Sequence, residues 1–281
     1  MSRALVLGGG GPVGIAWESG LLAGLAEGGV DVSPADYVVG TSAGSFVGAQ
    51  LAGGKSPAAI AAPDLAGAFQ PSGTPEALPN LIPLIAKMME ALSGKRPQQD
   101  VLKEIGEMAL ASPAMSEEEF IGRFQPALGP AWPDRFACTA VDTADGSFTV
   151  WNKDSGIELA RGVASSCAVP MVYPPISIGG RRYMDGGMRS GVNADLAAAH
   201  DKVLVVVVGL RAAPPPVKEL FGGVLDKQLA SLKHAVVIAP DDDASAAMGT
   251  NLMDPSARQA AARAGLVQGR LEAARLAEFW N

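Results

Sequence analysis

Histidine and cysteine are both scarce in this chain, and each scarcity narrows the chemistry that can be expected. The 281 residues include only two histidines, His200 and His234, and only two cysteines, Cys138 and Cys167. Neither cysteine belongs to a C-x-x-C pair or a secreted disulfide pattern, which predicts two reduced thiols in apolar surroundings. No group of His, Cys and carboxylate residues has metal-ligand spacing, so we expect neither a metal nor another cofactor.

Positive charge and long apolar runs are also lacking. The net charge is −7 and the chain has no basic block, which argues against nucleic acid as a partner and gives no attraction for anionic membranes. The strongest apolar run, Val203 to Leu210, is too short to span a bilayer and predicts a buried parallel strand. The first residues lack signal-peptide anatomy, so we expect a cytoplasmic protein.

The clearest positive signal is the segment Gly40-Thr41-Ser42-Ala43-Gly44. A short strand is predicted directly before it, and the first turns of a helix directly after it. Strand, G-x-S-x-G and helix form a nucleophile elbow, in which a sharp turn lifts the serine hydroxyl clear of the sheet. This arrangement predicts a serine hydrolase with Ser42 as the nucleophile.

A glycine-rich loop follows the first predicted strand, Ala4 to Leu7, and precedes a helix predicted from about Gly14 to Glu27. Its residues Gly9 to Gly14 fit the dinucleotide pattern G-x-G-x-x-G. The same exposed amides could instead serve as an oxyanion hole, and a tight turn without a ligand is a third interpretation. The loop alone does not decide among these.

A third motif, Asp185-Gly186-Gly187, follows a predicted strand. Aspartate before two glycines is often a plain turn residue, but it could also be the general base for Ser42. A Ser-His-Asp triad would need His200 or His234, and each lies just before a predicted strand, where a surface position is expected.

Together these motifs resemble the bacterial type of patatin-like phospholipases, as do Ala164 to Pro170, Tyr173-Pro174-Pro175, Gly180 and Tyr183. The resemblance implies a three-layer α/β/α fold with a mostly parallel sheet, and an esterase or phospholipase acting on a lipid or ester, with transient contact with a membrane surface. It assigns Ser42 and Asp185 to a catalytic dyad and the amides of Gly9, Gly10 and Gly11 to an oxyanion hole. The supporting glycines would be Gly14, Gly40, Gly44, Gly186 and Gly187.

One position departs from the family pattern. The family loop usually carries Arg or Lys just before its last glycine, where this chain has Val13. We therefore expect uncharged esters to be hydrolysed at least as well as anionic phospholipids. An arginine at this position is expected to leave short neutral esters unaffected or to shift preference toward anionic lipids.

The rest of the chain predicts one domain over residues 1–281, with a mostly helical insertion at about 53–125. An apolar stripe from Leu78 to Leu92 could form a lid over an acyl site, or an ordinary core helix. Strands are predicted at 136–141, 147–151 and 235–239, a hairpin at 176–184, a loop at 214–216 and a closing helix at 255–279. Two other functions stay open: a nucleotide-binding protein, and a non-catalytic or acyltransferase member of the same family.

Overall fold

The computed structural model describes residues 1–68, 81–112, 115–209 and 215–281. Their strands belong to one mixed sheet. The strands are β1 Arg3–Leu7, β2 Tyr37–Gly40, β3 Phe136–Asp142, β4 Phe148–Trp151, β5 Ile176–Ile178, β6 Arg181–Asp185, β7 Lys202–Val206 and β8 Ala235–Ile238. The helices are α1 Gly11–Glu27, α2 Ala43–Ala52, α3 Pro57–Leu65, α4 Ile82–Leu92, α5 Gln98–Ala111, α6 Glu117–Gly122, α7 Leu159–Ser166, α8 Pro215–Leu229, α9 Asp242–Met248 and α10 Arg258–Trp280.

The centre of the sheet is parallel. Strands β3, β2, β1, β7 and β8 lie side by side in that order with parallel pairing, while β4, β5 and β6 add antiparallel pairs. Strand-to-strand crossovers through helices produce such parallel pairs and place helices on both faces. The elbow at Ser42 follows the carboxyl-terminal end of β2, which is one of these central strands.

Side chains alternate between two apolar layers along each central strand. On β1, Leu5 and Leu7 pack with α1, α2 and α10, whereas Ala4 and Val6 pack on the opposite face with Leu225 of α8. This period of two is the consequence of strand geometry. The molecule is thus a three-layer α/β/α structure, as the resemblance implied.

Strands β2 and β6 meet end to end along one edge of β3. Gly40 pairs with Cys138, and Asp185 pairs with Ala140 only two residues further along β3. Strand β4 occupies the other edge of β3 at both positions, so β2 and β6 must share the remaining edge. Because β6 runs antiparallel to β3, its last residue faces the last residue of β2.

Most of the predicted elements are confirmed. The first strand, the strands near 136 and 148 and the hairpin are all present, and the turn of the hairpin has positive φ at Gly179 and Gly180. The described part of the predicted insertion contains helices α3 to α6 and no strand. The Leu78-to-Leu92 stripe lies partly outside the described residues; its remainder is α4, which buries Leu84 and leaves Ile85 45% exposed.

Several boundaries need correction. Helix α1 begins at Gly11 rather than Gly14, because Pro12 fits the first turn of a helix, where a missing N–H costs nothing. The strand expected from Val203 ends at Val206, and Leu210 lies outside the described residues. The loop predicted at 214–216 is replaced at Pro215 by the start of α8, and residue 214 lies outside the described residues. The closing helix α10 begins at Arg258, after a short 3₁₀ turn.

Candidate active site

Ser42 stands at the junction of β2 and α2 in a strained conformation. Its φ of 52° and ψ of −119° are rare for a residue with a side chain. Such strain costs about 1–3 kcal/mol and is concentrated at functional sites. The Ser42 N–H donates to Ser166 Oγ at 3.0 Å, and the Ser42 carbonyl accepts from Ser45 Oγ and Cys167 Sγ. The backbone of the turn is thereby held in place while the side chain of Ser42 stays 7% exposed.

The glycines of the elbow are required by close backbone contacts. A Cβ on Gly40 would lie 2.3 Å from the carbonyl oxygen of Gly44, and a Cβ on Gly44 would lie 2.2 Å from that of Leu7. The Gly44 N–H also donates to the carbonyl of Gly8, at 3.0 Å. The elbow is therefore packed directly against the end of β1 and the glycine-rich loop.

Asp185 ends β6 and faces the elbow. Its Oδ1 accepts from the Gly187 N–H at 2.7 Å, and a Cβ on Gly187 would lie 2.9 Å from that oxygen. A Cβ on Gly186 would lie 2.1 Å from Thr139 Oγ1. The two glycines after the aspartate thus allow the chain to turn tightly around its carboxylate.

Burial dominates the electrostatics of Asp185. The residue is 2% exposed, and desolvation raises the pKa of its carboxyl from 3.8 to about 7. Hydrogen bonds from the Ser42 side chain and the Gly187 N–H lower this pKa, but by less than burial raises it. The structure therefore brings Ser42 and Asp185 together and gives the carboxylate a basicity near that of an imidazole.

The glycine-rich loop passes beside Ser42, since a Cβ on Gly9 would lie 3.3 Å from Ser42 Cβ. The expectation that the Gly9 amide holds an oxyanion needs correction, because that N–H already donates to the Gly191 carbonyl at 2.7 Å. The amides of Gly10 and Gly11 donate to no acceptor within the described residues. The loop thus offers two amides at the positive end of α1.

Val13 and Gly14 lie inside α1 rather than in the loop. Val13 is fully buried, and its N–H donates to the Leu252 carbonyl at 3.2 Å. A Cβ on Gly14 would lie 3.1 Å from Val208 Cγ1. An arginine at position 13 would therefore enter a fully buried position of α1 rather than the loop, and its effect on substrate preference stays a prediction.

A buried polar network behind the site was not predicted. Asn193 is fully buried, and its Nδ2 donates to Thr41 Oγ1 at 3.0 Å and to the Ser190 carbonyl at 2.8 Å. Its Oδ1 accepts from Arg189 Nη1 at 2.8 Å. Thr41 Oγ1 in turn lies 3.0 Å from Thr139 Oγ1. Asn193 has a left-handed backbone conformation with a φ of 55°, which asparagine tolerates better than most residues. This preference is the only feature of the local sequence that could have indicated the position.

Both histidines lie at the other end of the sheet. His200 stacks on Tyr37, the first residue of β2, with ring centroids 5.1 Å apart. Ser42 comes five residues later, about 16 Å along the strand direction. His234 precedes β8, beside the amino-terminal end of β7. Neither imidazole is near the Ser42 hydroxyl.

The sequence model of the patatin-like phospholipases matches residues 5–198, which include all three motifs. The chain belongs to the patatin-like phospholipase family. The family, as its name says, is one of phospholipases, which are lipid hydrolases. A comparison with curated protein sequences gives no match.

Two solved structures are similar to the chain. VipD from Legionella pneumophila shares 15% identity with a TM-score of 0.48, covering 98% of this chain and 67% of VipD. The type III effector protein ExoU shares 18% identity with a TM-score of 0.39, covering 96% of this chain and 53% of ExoU. The chain thus spans about two thirds of one neighbour and about half of the other.

Metal-binding clusters and membrane-spanning helices were also considered for the described residues of the patatin-like chain. In the described ranges, no group of three or more His, Cys, Asp or Glu residues is arranged to hold a metal ion. Nor does any helix in those ranges have the length and apolar character needed to cross a membrane.

Proposed function

We propose that this chain is a serine-dependent lipid acyl hydrolase in which Ser42 is the nucleophile and Asp185 the general base. The observation that carries the proposal is a buried carboxylate with a pKa of about 7 facing a strained elbow serine. A general base works best when its pKa lies near the working pH. Both histidines lie at the amino-terminal ends of the parallel strands, at the opposite end of the sheet from Ser42. This position supports a site that consists of Ser42 and Asp185 without a histidine.

In the first half of the reaction, Ser42 Oγ attacks the carbonyl carbon of the ester while Asp185 accepts the hydroxyl proton. The resulting oxyanion is bound by the amides of Gly10 and Gly11, next to the positive end of α2. Loss of one such donor typically raises the barrier by about 2.7–4 kcal/mol. The ester C–O bond then breaks, and Asp185 returns the proton to the departing alcohol.

In the second half, water attacks the carbonyl of the acyl-serine. Asp185 accepts a proton from this water, and collapse of the second tetrahedral intermediate releases the carboxylic acid. The proton passes back to Ser42 Oγ, which restores the free site. Apart from the ester and this water molecule, these steps use only groups of the chain itself.

A fluorophosphonate probe with mass spectrometry tests the proposal directly. We expect one covalent adduct, on Ser42, and loss of p-nitrophenyl butyrate hydrolysis in Ser42→Ala. The matched control is Ser256→Ala, because Ser256 is exposed and remote in sequence from the motifs. An adduct on another serine, with full activity in Ser42→Ala, would contradict the proposal.

The alternatives give different results in the same preparation. A nucleotide site formed by Gly9 to Gly14 predicts a thermal shift with NAD, whereas we expect none because the Gly9 amide is already bonded to Gly191. An acyltransferase would form Ser42 adducts but pass the acyl group to an added alcohol faster than to water. A non-catalytic protein would form no adduct.

A further inference from the structure

The end of helix α7 contacts the backbone of both residues of the proposed dyad. Ser166 is the last residue of α7, and its Oγ accepts from the Ser42 N–H at 3.0 Å. Two residues later, the carbonyl of Ala168 accepts from the Asp185 N–H, also at 3.0 Å. Three consecutive residues, 166–168, therefore hold the nucleophile and the base at the same time.

Helix α7 is itself held by the elements that carry the two residues. It packs against β3, β6 and α2. Strand β6 ends at Asp185, and α2 begins directly after Ser42. The side chain of Ser166 is fully buried among these elements. The contact with Ser42 is thus made from a fixed part of the fold.

The two peptide groups on either side of the Ser42 Cα do not have equal support. The Ser42 carbonyl accepts from two side chains, Ser45 Oγ at 2.6 Å and Cys167 Sγ at 3.2 Å. The Ser42 N–H has one acceptor among the described residues, Ser166 Oγ. The two peptide planes together set the direction of the Cα–Cβ bond. Loss of one donor to the carbonyl leaves another in place, whereas loss of Ser166 Oγ leaves the N–H with none.

We propose that Ser166 is a positioning residue, whose hydroxyl holds the Ser42 N–H so that the elbow keeps the serine side chain facing Asp185. The proposal rests on the hydrolase function proposed above. Ser42 has a φ of 52°, and such a conformation persists only where the surrounding structure enforces it. Without its acceptor, the buried N–H favours any other conformation that gives it a partner. The contact of Ser166 is with the peptide N–H, so it acts through Ser42.

The consequence of losing this contact is a smaller fraction of molecules with a reactive serine. Leaving a buried donor unsatisfied changes an equilibrium constant by roughly tenfold to a hundredfold. In Ser166→Ala this factor favours the relaxed conformations of Ser42, so kcat should fall by about 10- to 100-fold. KM should stay close to the wild-type value, because the conformations differ at the reacting serine and not in the surface that binds the rest of the ester.

The neighbouring serine supplies a matched control. Ser165 is also a fully buried residue of α7, and its Oγ accepts from Trp151 Nε1 at 3.0 Å. Ser165→Ala therefore leaves a buried N–H without its acceptor, as Ser166→Ala does, but at Trp151 of β4 rather than at the elbow. We expect the two variants to lose similar stability in urea unfolding, and Ser165→Ala to keep a kcat near that of the wild type.

Two measurements report on the reactive serine. One is kcat and KM for p-nitrophenyl butyrate, and the other is the rate constant for fluorophosphonate labelling of Ser42. In Ser166→Ala, kcat and the labelling rate should fall together at a constant KM. Ser166→Thr keeps an acceptor oxygen and should restore most of both rates.

The outcomes separate this proposal from the function itself. If the wild-type protein hydrolyses no ester and forms no Ser42 adduct, the proposed function fails and the role of Ser166 fails with it. If the wild type is active, equal kcat and labelling rates in Ser166→Ala and Ser165→Ala overturn only the positioning role. A change confined to KM overturns it as well. If Ser166→Ala does not fold, Ser166→Cys takes its place: a thiol is a weak acceptor, so kcat should fall at constant KM, and an unchanged kcat refutes the role.

Discussion

Replacing Asp185 by asparagine should remove activity and increase stability, and the increase should depend on pH. Asparagine keeps the shape of the side chain, and its Oδ1 can still accept from the Gly187 N–H, which lies 2.7 Å from Asp185 Oδ1. What it cannot do is ionise. The substitution therefore isolates the free energy of holding a carboxylate in this buried place.

The magnitude follows from the pKa of the carboxyl. Its rise from 3.8 to about 7 on folding corresponds to about 4 kcal/mol, at 1.36 kcal/mol for each factor of ten. Below pH 3.8 the carboxyl is protonated in both the folded and the unfolded chain, so it has no effect. Between pH 3.8 and 7 the unfolded chain loses the proton first, so wild-type stability falls as pH rises. Above pH 7 both states are ionised and the penalty is constant.

Urea unfolding at pH 5, 6, 7 and 8 measures this difference. The stability advantage of Asp185→Asn should grow by about 2 kcal/mol from pH 5 to 7, and by about 0.4 kcal/mol more up to pH 8. Asp201→Asn is the control: the ion pair with Lys233 lowers the pKa of Asp201 to about 2, so its effect should be constant over this range. An advantage for Asp185→Asn that is independent of pH would refute the argument. In activity assays, wild-type kcat/KM should rise toward pH 7 and then level off.

Three further predictions address neighbouring groups. His200→Ala and His234→Ala should keep most of the hydrolytic activity, and a loss as large as that of Asp185→Asn in either would require a triad. Asn193→Gly keeps a residue that suits the left-handed backbone but removes the side-chain amide. Because Thr41 Oγ1 then loses a hydrogen-bond donor, the folded protein should be destabilised by about 1–3 kcal/mol, and kcat should fall more than KM changes. Glu18 is fully buried and burial holds its pKa well above the usual range, so Glu18→Gln should be more stabilising at pH 8 than at pH 4, as urea unfolding at both values would show.

The sequence was most informative where a short segment determines its own geometry. The strand, turn and helix around Ser42 could be predicted because the turn leaves no room for a Cβ at Gly40, which would lie 2.3 Å from the Gly44 carbonyl oxygen. The hairpin at Gly179-Gly180 could be predicted for a related reason, since both residues have positive φ. In each case the constraint lies within about five consecutive residues.

Long-range contacts were the part that could not be predicted. The Gly9 N–H is occupied by a hydrogen bond to the Gly191 carbonyl, and Thr41 is held by a hydrogen bond from the Asn193 amide. In both cases the partner lies more than 150 residues away along the chain. Helix α8 was missed because its consecutive prolines suggest a loop, although proline is also favoured in the first turn of a helix.

The segment from Arg189 to Asn193 explains how these distant parts form one site. Its Gly191 carbonyl holds the glycine-rich loop, and its Asn193 amide reaches Thr41 of the elbow. It follows Asp185 by only four residues, so one short stretch of chain fixes all three motifs relative to one another. The proposed dyad of Ser42 and Asp185 needs this rigidity, because a carboxylate gains the basicity of an imidazole only while water is excluded from it. Loosening the segment should therefore lower the pKa of Asp185 and weaken the base before it displaces Ser42.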